Sequence, residues 1–260
     1  MSDWLPPADG RPHVGASTDL RFEDGVRAFC ERVAALGLEH VEFKRGFLGS
    51  RETPPAAEIG AIAAENGLTV SMHVPFRDCN VGAFDPRTRA AAVEVIEATI
   101  TDAAAADARA VVVHGGSVPA RYPDRIQRQA REGAIDALGG LADHAARVGV
   151  PLALENQPRT AGERRFTTTP ADLAAHLEAA DLEVTLDVGH ATVNGQDWRR
   201  YAERFGERIR AVHMHDNDGT RDAHEPFADL ASVIERVPAD YAVFEVKSID
   251  DLEASVAAAR

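Results

Sequence analysis

The chain has 260 residues, 45% of them hydrophobic, and carries a formal charge of −14, so it is long enough to bury one large core. No apolar run approaches the roughly 18 residues that cross a bilayer, and the first residues lack the basic-then-apolar pattern of a secretory leader, so no membrane-spanning helix and a cytoplasmic protein are expected. The acidity counts against tight nucleic-acid binding, whose affinity comes largely from neutralised phosphates.

Short β-branched runs alternate with longer Ala-rich helical stretches along the chain. His13–Ser17 reads as a first strand and residues 22–36 as a helix that Gly37 stops. His40–Lys44 is the second strand, and Pro54-Pro55 opens a helix that ends near Asn66-Gly67. Residues 68–73 form the third strand, and a helix over 86–106 follows a long loop. Strand four is 110–114, turned at once by Gly115-Gly116; a helix over 125–148 leads to strand five, 151–155. Thr169 caps the next helix with Pro170 in its first turn. Strand six is Glu183–Asp187, a helix spans about 198–205, and strand seven is 209–213. Residues 228–236 are helical, strand eight is 241–245, and a helix over 249–259 closes the chain.

Eight strands and eight helices in alternation imply a parallel sheet with right-handed crossovers. At close to the roughly 250 residues typical of such folds, this predicts one α/β domain, a (β/α)8 TIM barrel spanning 1–260. A doubly wound open sheet is the alternative, disfavoured because no Gly-rich nucleotide fingerprint follows the first strand.

Catalytic groups of a (β/α)8 barrel lie where strands end. Six successive strands end in a residue able to hold a metal: His73, His114, Glu155, Asp187, His213 and Glu245. Buried carboxylates and imidazoles are costly unless paired or bound to a cation, so six in a row point to a metal centre. His190, in Asp187-Val-Gly-His190, and Asp222 and His224, in the loop after strand seven, extend the set to nine. Imidazole mixed with carboxylate suits zinc or manganese, and nine ligands exceed what one ion takes. The two cysteines, Cys30 and Cys79, fit no metal or redox spacing and read as reduced.

The segments Ser71-Met-His73-Val-Pro, Val113-His114-Gly-Gly, Leu154-Glu155-Asn156, Leu186-Asp187-Val-Gly-His190, Val212-His213-Met-His215-Asp216 and Phe244-Glu245 stand in an order that resembles the xylose isomerase-like superfamily of TIM barrels. That family includes sugar and sugar-phosphate isomerases and epimerases, and DNA-repair enzymes of the endonuclease IV type. In the first branch, the resemblance implies one divalent ion (manganese, cobalt or magnesium) on Glu155, Asp187, His213 and Glu245. The two glutamates also move a substrate proton through an enediolate, and His190 holds a substrate oxygen. In the second, it implies up to three zinc ions, with His73, His114, His190, Asp222 and His224 added and DNA as partner. His213 fits the usual ligand place, and His215 is able to substitute for it. The acidity, and a loop over 45–51 unlike the DNA-inserting loops of the repair enzymes, favour a small-molecule sugar or sugar phosphate as the partner. A homo-oligomer is compatible with the sequence.

Arg159 and Arg164, in the segment after strand five, are candidates to clamp a phosphate, because arginine forks match phosphate oxygens. Lys247 is a similar candidate; it and Lys44 are the two lysines of the chain. Asn156 is expected to orient Glu155 or a substrate hydroxyl, and His215 to line the substrate site. His13 and His40, at strand starts, read as structural, and His144 and His176 as surface residues of helices.

Overall fold

The computed structural model describes residues 12–22, 24–48 and 53–260. Ten strands occur among them: β1 (His13–Ser17), β2 (His40–Lys44), β3 (Thr69–His73), β4 (Val111–His114), β5 (Ser117–Pro119), β6 (Leu152–Glu155), β7 (Glu163–Arg165), β8 (Glu183–Asp187), β9 (Ile209–Met214) and β10 (Tyr241–Phe244). Eight close into a parallel barrel in the order β1-β10-β9-β8-β6-β4-β3-β2, with β1 pairing both β2 and β10. The remaining two, β5 and β7, form an antiparallel ribbon beside the barrel mouth that the sequence reading did not anticipate.

The helices are α1 (Val26–Ala35), α2 (Arg45–Leu48), α3 (Ala56–Glu65), α4 (Pro86–Ala105), α5 (Asp124–Val148), α6 (Pro170–Leu177), α7 (Val188–Val193), α8 (Arg199–Phe205), α9 (Leu230–Arg236) and α10 (Ile249–Ala258). Their ends follow from local chemistry. The Asp85 carboxylate accepts from the Arg87 and Thr88 amides ahead of α4, Thr169 accepts from the Asp172 amide, and Ser248 accepts from that of Asp251. Gly149, at φ 80°, terminates α5 in the left-handed region that glycine tolerates. The helix expected over 22–36 starts later, at Val26, and residue 23 lies outside the described residues. The loop expected over 45–51 is described only as far as Leu48, where it forms the single turn α2.

Large apolar side chains such as Phe29, Phe43, Ile59, Ile96, Leu138 and Leu173 fill the layer between barrel and helices. The interior of the barrel is different. Successive strand residues alternate faces, so on β2 Val41 and Phe43 point to the helices while His40, Glu42 and Lys44 point inward; all five are buried. Ser71 of β3 meets His40 and Glu42, His73 stacks on His213 of β9, and Ala211, Tyr241 and Val243 form a small separate apolar cluster. Gly15 is required where β1 passes the His40 backbone, because a Cβ there would lie 2.3 Å from the His40 carbonyl oxygen.

His176 is not a surface residue. It falls at the helical spacing of Leu173 and Leu177 on the buried face of α6, is 1% exposed, and its Nδ1–H donates to the Asp172 carbonyl at 2.9 Å. His144 is half-buried, with Nε2 3.0 Å from the Thr101 hydroxyl across α4 and α5.

Candidate metal centre

The barrel delivers the strand-end residues to one place. His114 is level with Glu155, and Asp187 with His213, in the strand registers. Around Glu155 the distances are short: Oε2 lies 3.1 Å from His73 Nε2 and 3.0 Å from His114 Nε2, and Oε1 lies 3.1 Å from His190 Nδ1 and 3.6 Å from His213 Nδ1. His213 Nδ1 is also 3.9 Å from Glu245 Oε1. Beside this, His190, His215, Asp222 and His224 bring ligand atoms within 4.8 Å of one another; His73, His114 and Glu155 form another such group, and Glu155, Asp187 and His213 a third. The nine residues expected as ligands therefore converge, with His215 among them. Asp187 holds His190 in place directly, because its carboxylate caps α7 by accepting from the His190 amide at 2.6 Å.

The hydrogen bonds away from the centre show what the imidazoles are arranged to do. His73 Nδ1 lies 2.8 Å from the Val74 carbonyl, His190 Nδ1 2.9 Å from that of Asn156, and His224 Nδ1 2.7 Å from that of Glu245. A carbonyl only accepts, so each Nδ1 carries the proton and each neutral ring turns the lone pair of Nε2 inward. That lone pair then faces a carboxylate: Glu155 for His73, and Asp222 for His190 and His224, at 3.1, 3.4 and 3.2 Å. Lone pair against carboxylate is repulsive unless a proton or a metal ion lies between them. His213 Nδ1, His215 Nδ1 and Asp222 Oδ1 are also buried with no hydrogen-bond partner. The donor set, nitrogen and oxygen with no sulfur, fits a divalent ion.

Protonation in the ion-free centre shows the same tension. Burial alone would push the Glu155 carboxyl up, but the His114 imidazole beside it, with hydrogen bonds from His114 and His190, holds it well below the usual carboxylate range. Burial disfavours the His190 imidazolium, yet Asp187 and then Asp222 outweigh it and raise its pKa well above the ordinary value. His213 behaves alike: burial lowers, Glu42 and Glu245 raise, and the result is well above. His114, by contrast, is lowered, because burial there outweighs Glu155.

A cleft of about 400 Å³ opens over the centre; Glu155, His190, Asp222 and Glu245 form part of its floor. Arg21, Arg77, Arg165 and both lysines also line it. Four of the five expected substrate contacts lie elsewhere. The Asn156 amide is spent on the β8 backbone, donating to the Asp187 carbonyl and accepting from the Asp187 amide, both at 2.8 Å. Arg159 is exposed and reaches the Gly219 carbonyl at 3.4 Å, and Arg164 is exposed and 3.8 Å from Asp172, because the β5–β7 ribbon turns it away; its neighbour Arg165 faces the cleft instead. His215 is buried below the cleft, within hydrogen-bond distance of Asp187. Lys247 does line the cleft, its ammonium donating to the Asp222 and Ala223 carbonyls.

Two residues escaped the sequence reading: Glu42, against His213, and Lys44, against Glu245. The signal was the strict alternation of His40-Val-Glu-Phe-Lys44, which in a strand covered by helices sends every polar residue inward.

The model of the xylose isomerase-like TIM barrel family matches residues 30–244. The chain belongs to that family. An uncharacterized protein of Methanocaldococcus jannaschii is 28% identical over 160 residues, 60% of this chain; the match spans about half (54%) of that relative's length. A second uncharacterized protein of the same organism is 25% identical over 247 residues, 91% of each chain. Among solved structures, a D-tagatose 3-epimerase-like protein superposes with a TM-score of 0.80 at 23% identity over 94% of both chains. The 3-keto-D-glucoside 4-epimerase of E. coli follows with 0.78 at 19%, covering 95% of this chain and 97% of that one, and a D-psicose 3-epimerase with 0.72 at 17%, covering 91% and 92%. These likenesses establish a shared xylose isomerase-like fold. Among the described residues, no helix is long and apolar enough to cross a membrane.

Proposed function

We propose that the chain is a divalent-metal-dependent isomerase or epimerase of a sugar or sugar phosphate, moving a proton through an enediolate. The observation that carries metal binding is the inward-facing Nε2 lone pairs of His73, His190 and His224, each locked by an Nδ1–H bond to a backbone carbonyl and set against a carboxylate; the paired glutamates Glu155 and Glu245 on the cleft carry the proton transfer. Glu155, Asp187, His213 and Glu245 would hold the principal ion, which when bound supplies Lewis-acid polarisation of adjacent substrate oxygens. Glu155 and Glu245 both line the cleft and flank His213 Nδ1 from different strands. One removes the proton beside the carbonyl and the other returns it from the opposite face. His190, on the cleft floor, holds a substrate oxygen. Arg77, Arg165 and Lys247 supply the positive charge that a phosphorylated sugar would need. The sugar epimerases sharing this fold support the reading.

A second reading, a trinuclear zinc phosphodiesterase of the endonuclease IV type acting on DNA, is favoured by the neighbouring groups His73–His114–Glu155 and His190–His215–Asp222–His224. Elemental analysis of protein purified without chelators, with solvent-deuterium exchange into ketohexoses and their phosphates, separates the two. About one manganese, cobalt or magnesium per chain with exchange beside the carbonyl supports the isomerase. Close to three zinc per chain with cleavage of phosphodiesters overturns it, and no metal uptake with no exchange sinks both. His114→Ala should leave deuterium exchange within about tenfold if one ion does the chemistry, and abolish turnover if three are needed.

A further inference from the structure

The strand β2 supplies none of the nine expected ligands, yet it sends two opposite charges into the proposed centre, Glu42 and Lys44, two residues apart on the inward face, and Glu42 has an oxygen within 4.8 Å of ligand atoms of His213 and Glu245. Glu42 is fully buried, and His213 Nε2 lies 3.1 Å from one of its oxygens and 3.2 Å from the other. A chain of hydrogen bonds runs up the lumen to the same carboxylate. The Thr69 hydroxyl lies 2.8 Å from His40 Nδ1, His40 Nε2 lies 2.9 Å from Ser71 Oγ, and Ser71 Oγ–H donates to Glu42 Oε2 at 2.9 Å. With His40 neutral, one assignment of protons runs along the chain: the Thr69 hydroxyl, whose other acceptor is the Glu39 carbonyl at 3.3 Å, donates to His40, His40 donates to Ser71, and Ser71 to Glu42, with His213 Nε2–H donating from the other side. Glu42 is the acceptor on which the whole chain ends. His213 must then carry its lone pair on Nδ1, the buried atom without a hydrogen-bond partner that faces Glu155 and Glu245.

Lys44 completes the arrangement. Its ammonium, 6% exposed, is ion-paired with Glu245 Oε1, which leaves Oε2 of the same carboxylate 3.6 Å from His224 Nδ1. Lys44 is the one lysine or arginine fully buried among the described residues. In a chain whose 28 basic residues include two lysines, both line this cleft.

We propose that Glu42 and Lys44 are positioning residues that fix two ligands from the far side of the barrel: Glu42 sets the ring orientation and tautomer of His213, and Lys44 fixes the rotation of the Glu245 carboxylate. The proposal rests on the metal reading above. Neither residue touches the ion. Partners of this kind, one shell removed from the metal, typically alter affinity by 10–100-fold when replaced.

The test is metal affinity, not turnover. Mn2+ and Co2+ dissociation constants are measured by competition against a chromophoric chelator for the full chain, for Glu42→Gln, Lys44→Met and Ser71→Ala, and the visible spectrum of each Co2+ complex is recorded. The expected result is a loss of affinity of about 10–100-fold for the first two and a smaller loss for Ser71→Ala, with a changed Co2+ spectrum in all three. A merely structural role would lower the melting temperature but leave the spectrum of the folded fraction as in the wild type. Should Glu42→Gln fail to fold, Ser71→Ala, which removes one hydroxyl, and Lys44→Met carry the same readouts. Wild-type affinity within twofold and an unchanged Co2+ spectrum in the folded variants overturn the positioning roles while the metal reading stands; absence of metal binding by the wild type overturns both.

Discussion

Gly189→Ala separates the two histidines that compete for one ligand place. Gly189 lies in the first turn of α7, buried, two residues after Asp187, and its φ is not positive, so alanine meets no backbone objection there. The difficulty is the His215 ring: a Cβ at residue 189 would lie 2.1 Å from Cε1, 2.3 Å from Nδ1 and 2.6 Å from Nε2. Carbon atoms in ordinary contact sit at about 3.5 Å or more, so the ring must retreat by roughly 1.4 Å. It has little room, because it is stacked on His224 with centroids 3.9 Å apart and stands edge-on to His190 at 5.4 Å. The retreat breaks the 3.1 Å contact of His215 Nε2 with Asp187. Overpacking of this size costs about 1–3 kcal/mol, or roughly 2–12 °C in melting temperature for a chain of this length. His213 is untouched by the clash. With His213 as the ligand, Mn2+ affinity at the principal site stays within about threefold in Gly189→Ala, and likewise in the companion His215→Asn, by isothermal titration on chelator-stripped protein. A loss of tenfold or more in both variants would place His215 in the ligand position and refute the assignment of Nδ1 of His213.

Two further outcomes follow from the buried histidines. Burial, opposed only in part by Glu42, lowers the His40 pKa from 6.5 to about 3, so the folded protein keeps it neutral while the unfolded chain takes up a proton below pH 6.5. The stability it confers is present above pH 6.5 and lost as pH falls towards 3, by about 1.4 kcal/mol per unit, hence about 2 kcal/mol at pH 5. Urea unfolding of ion-free protein at pH 7.5 and 5 should show that loss in the wild type relative to His40→Gln; equal losses in the two would refute it. Asp187 and Asp222 beside His190, and Glu42 and Glu245 beside His213, raise both imidazoles well above the ordinary histidine value, which favours a proton that each must give up to become a ligand. Titration with Mn2+ in two buffers of different ionisation enthalpy should report release of about one proton or more per ion, and zero release would contradict the arrangement.

The strand ends were legible because each apolar run stops at a residue that an apolar layer would not tolerate unpartnered. His73, His114, Glu155, Asp187, His213 and Glu245 all arrive where that reasoning puts them, on the same end of the barrel. What happens after a strand end was less legible. Arg164 and Arg165 are adjacent, and which of them faces the cleft is decided by the pairing of β7 with β5, in which Val118 stands opposite Arg164 and Ser117 opposite Arg165. Nothing in the loop's own composition marks that ribbon. Asn156 shows a different limit. It follows Glu155 directly, so proximity suggested service to the centre, but one position along a strand reverses the face, and its amide is used to clamp β6 to β8. His176 differs again: it shares the helical face of Leu173 and Leu177, and that spacing puts it inside.

The inward face of the barrel also supports the proposed ion at its mouth. Glu42, Glu155, Asp187 and Glu245 are buried together, and Lys44 is the single buried lysine or arginine among the described residues to set against them. An apolar lumen of the kind that usually fills a barrel would need no such compensation. Four carboxylates with one ammonium leave a deficit that favours protons on the imidazoles, and the neighbouring carboxylates accordingly push His190, His213 and His215 above the ordinary histidine value. A divalent ion meets the same deficit without those protons, and frees the imidazole lone pairs that the carbonyls of Val74, Asn156 and Glu245 already aim at the centre. The polar ladder from Thr69 to Glu42 and the ligands above it are therefore one electrostatic unit. The lower half, ending on Glu42 against His213, is the arrangement that the proposed cation above it calls for.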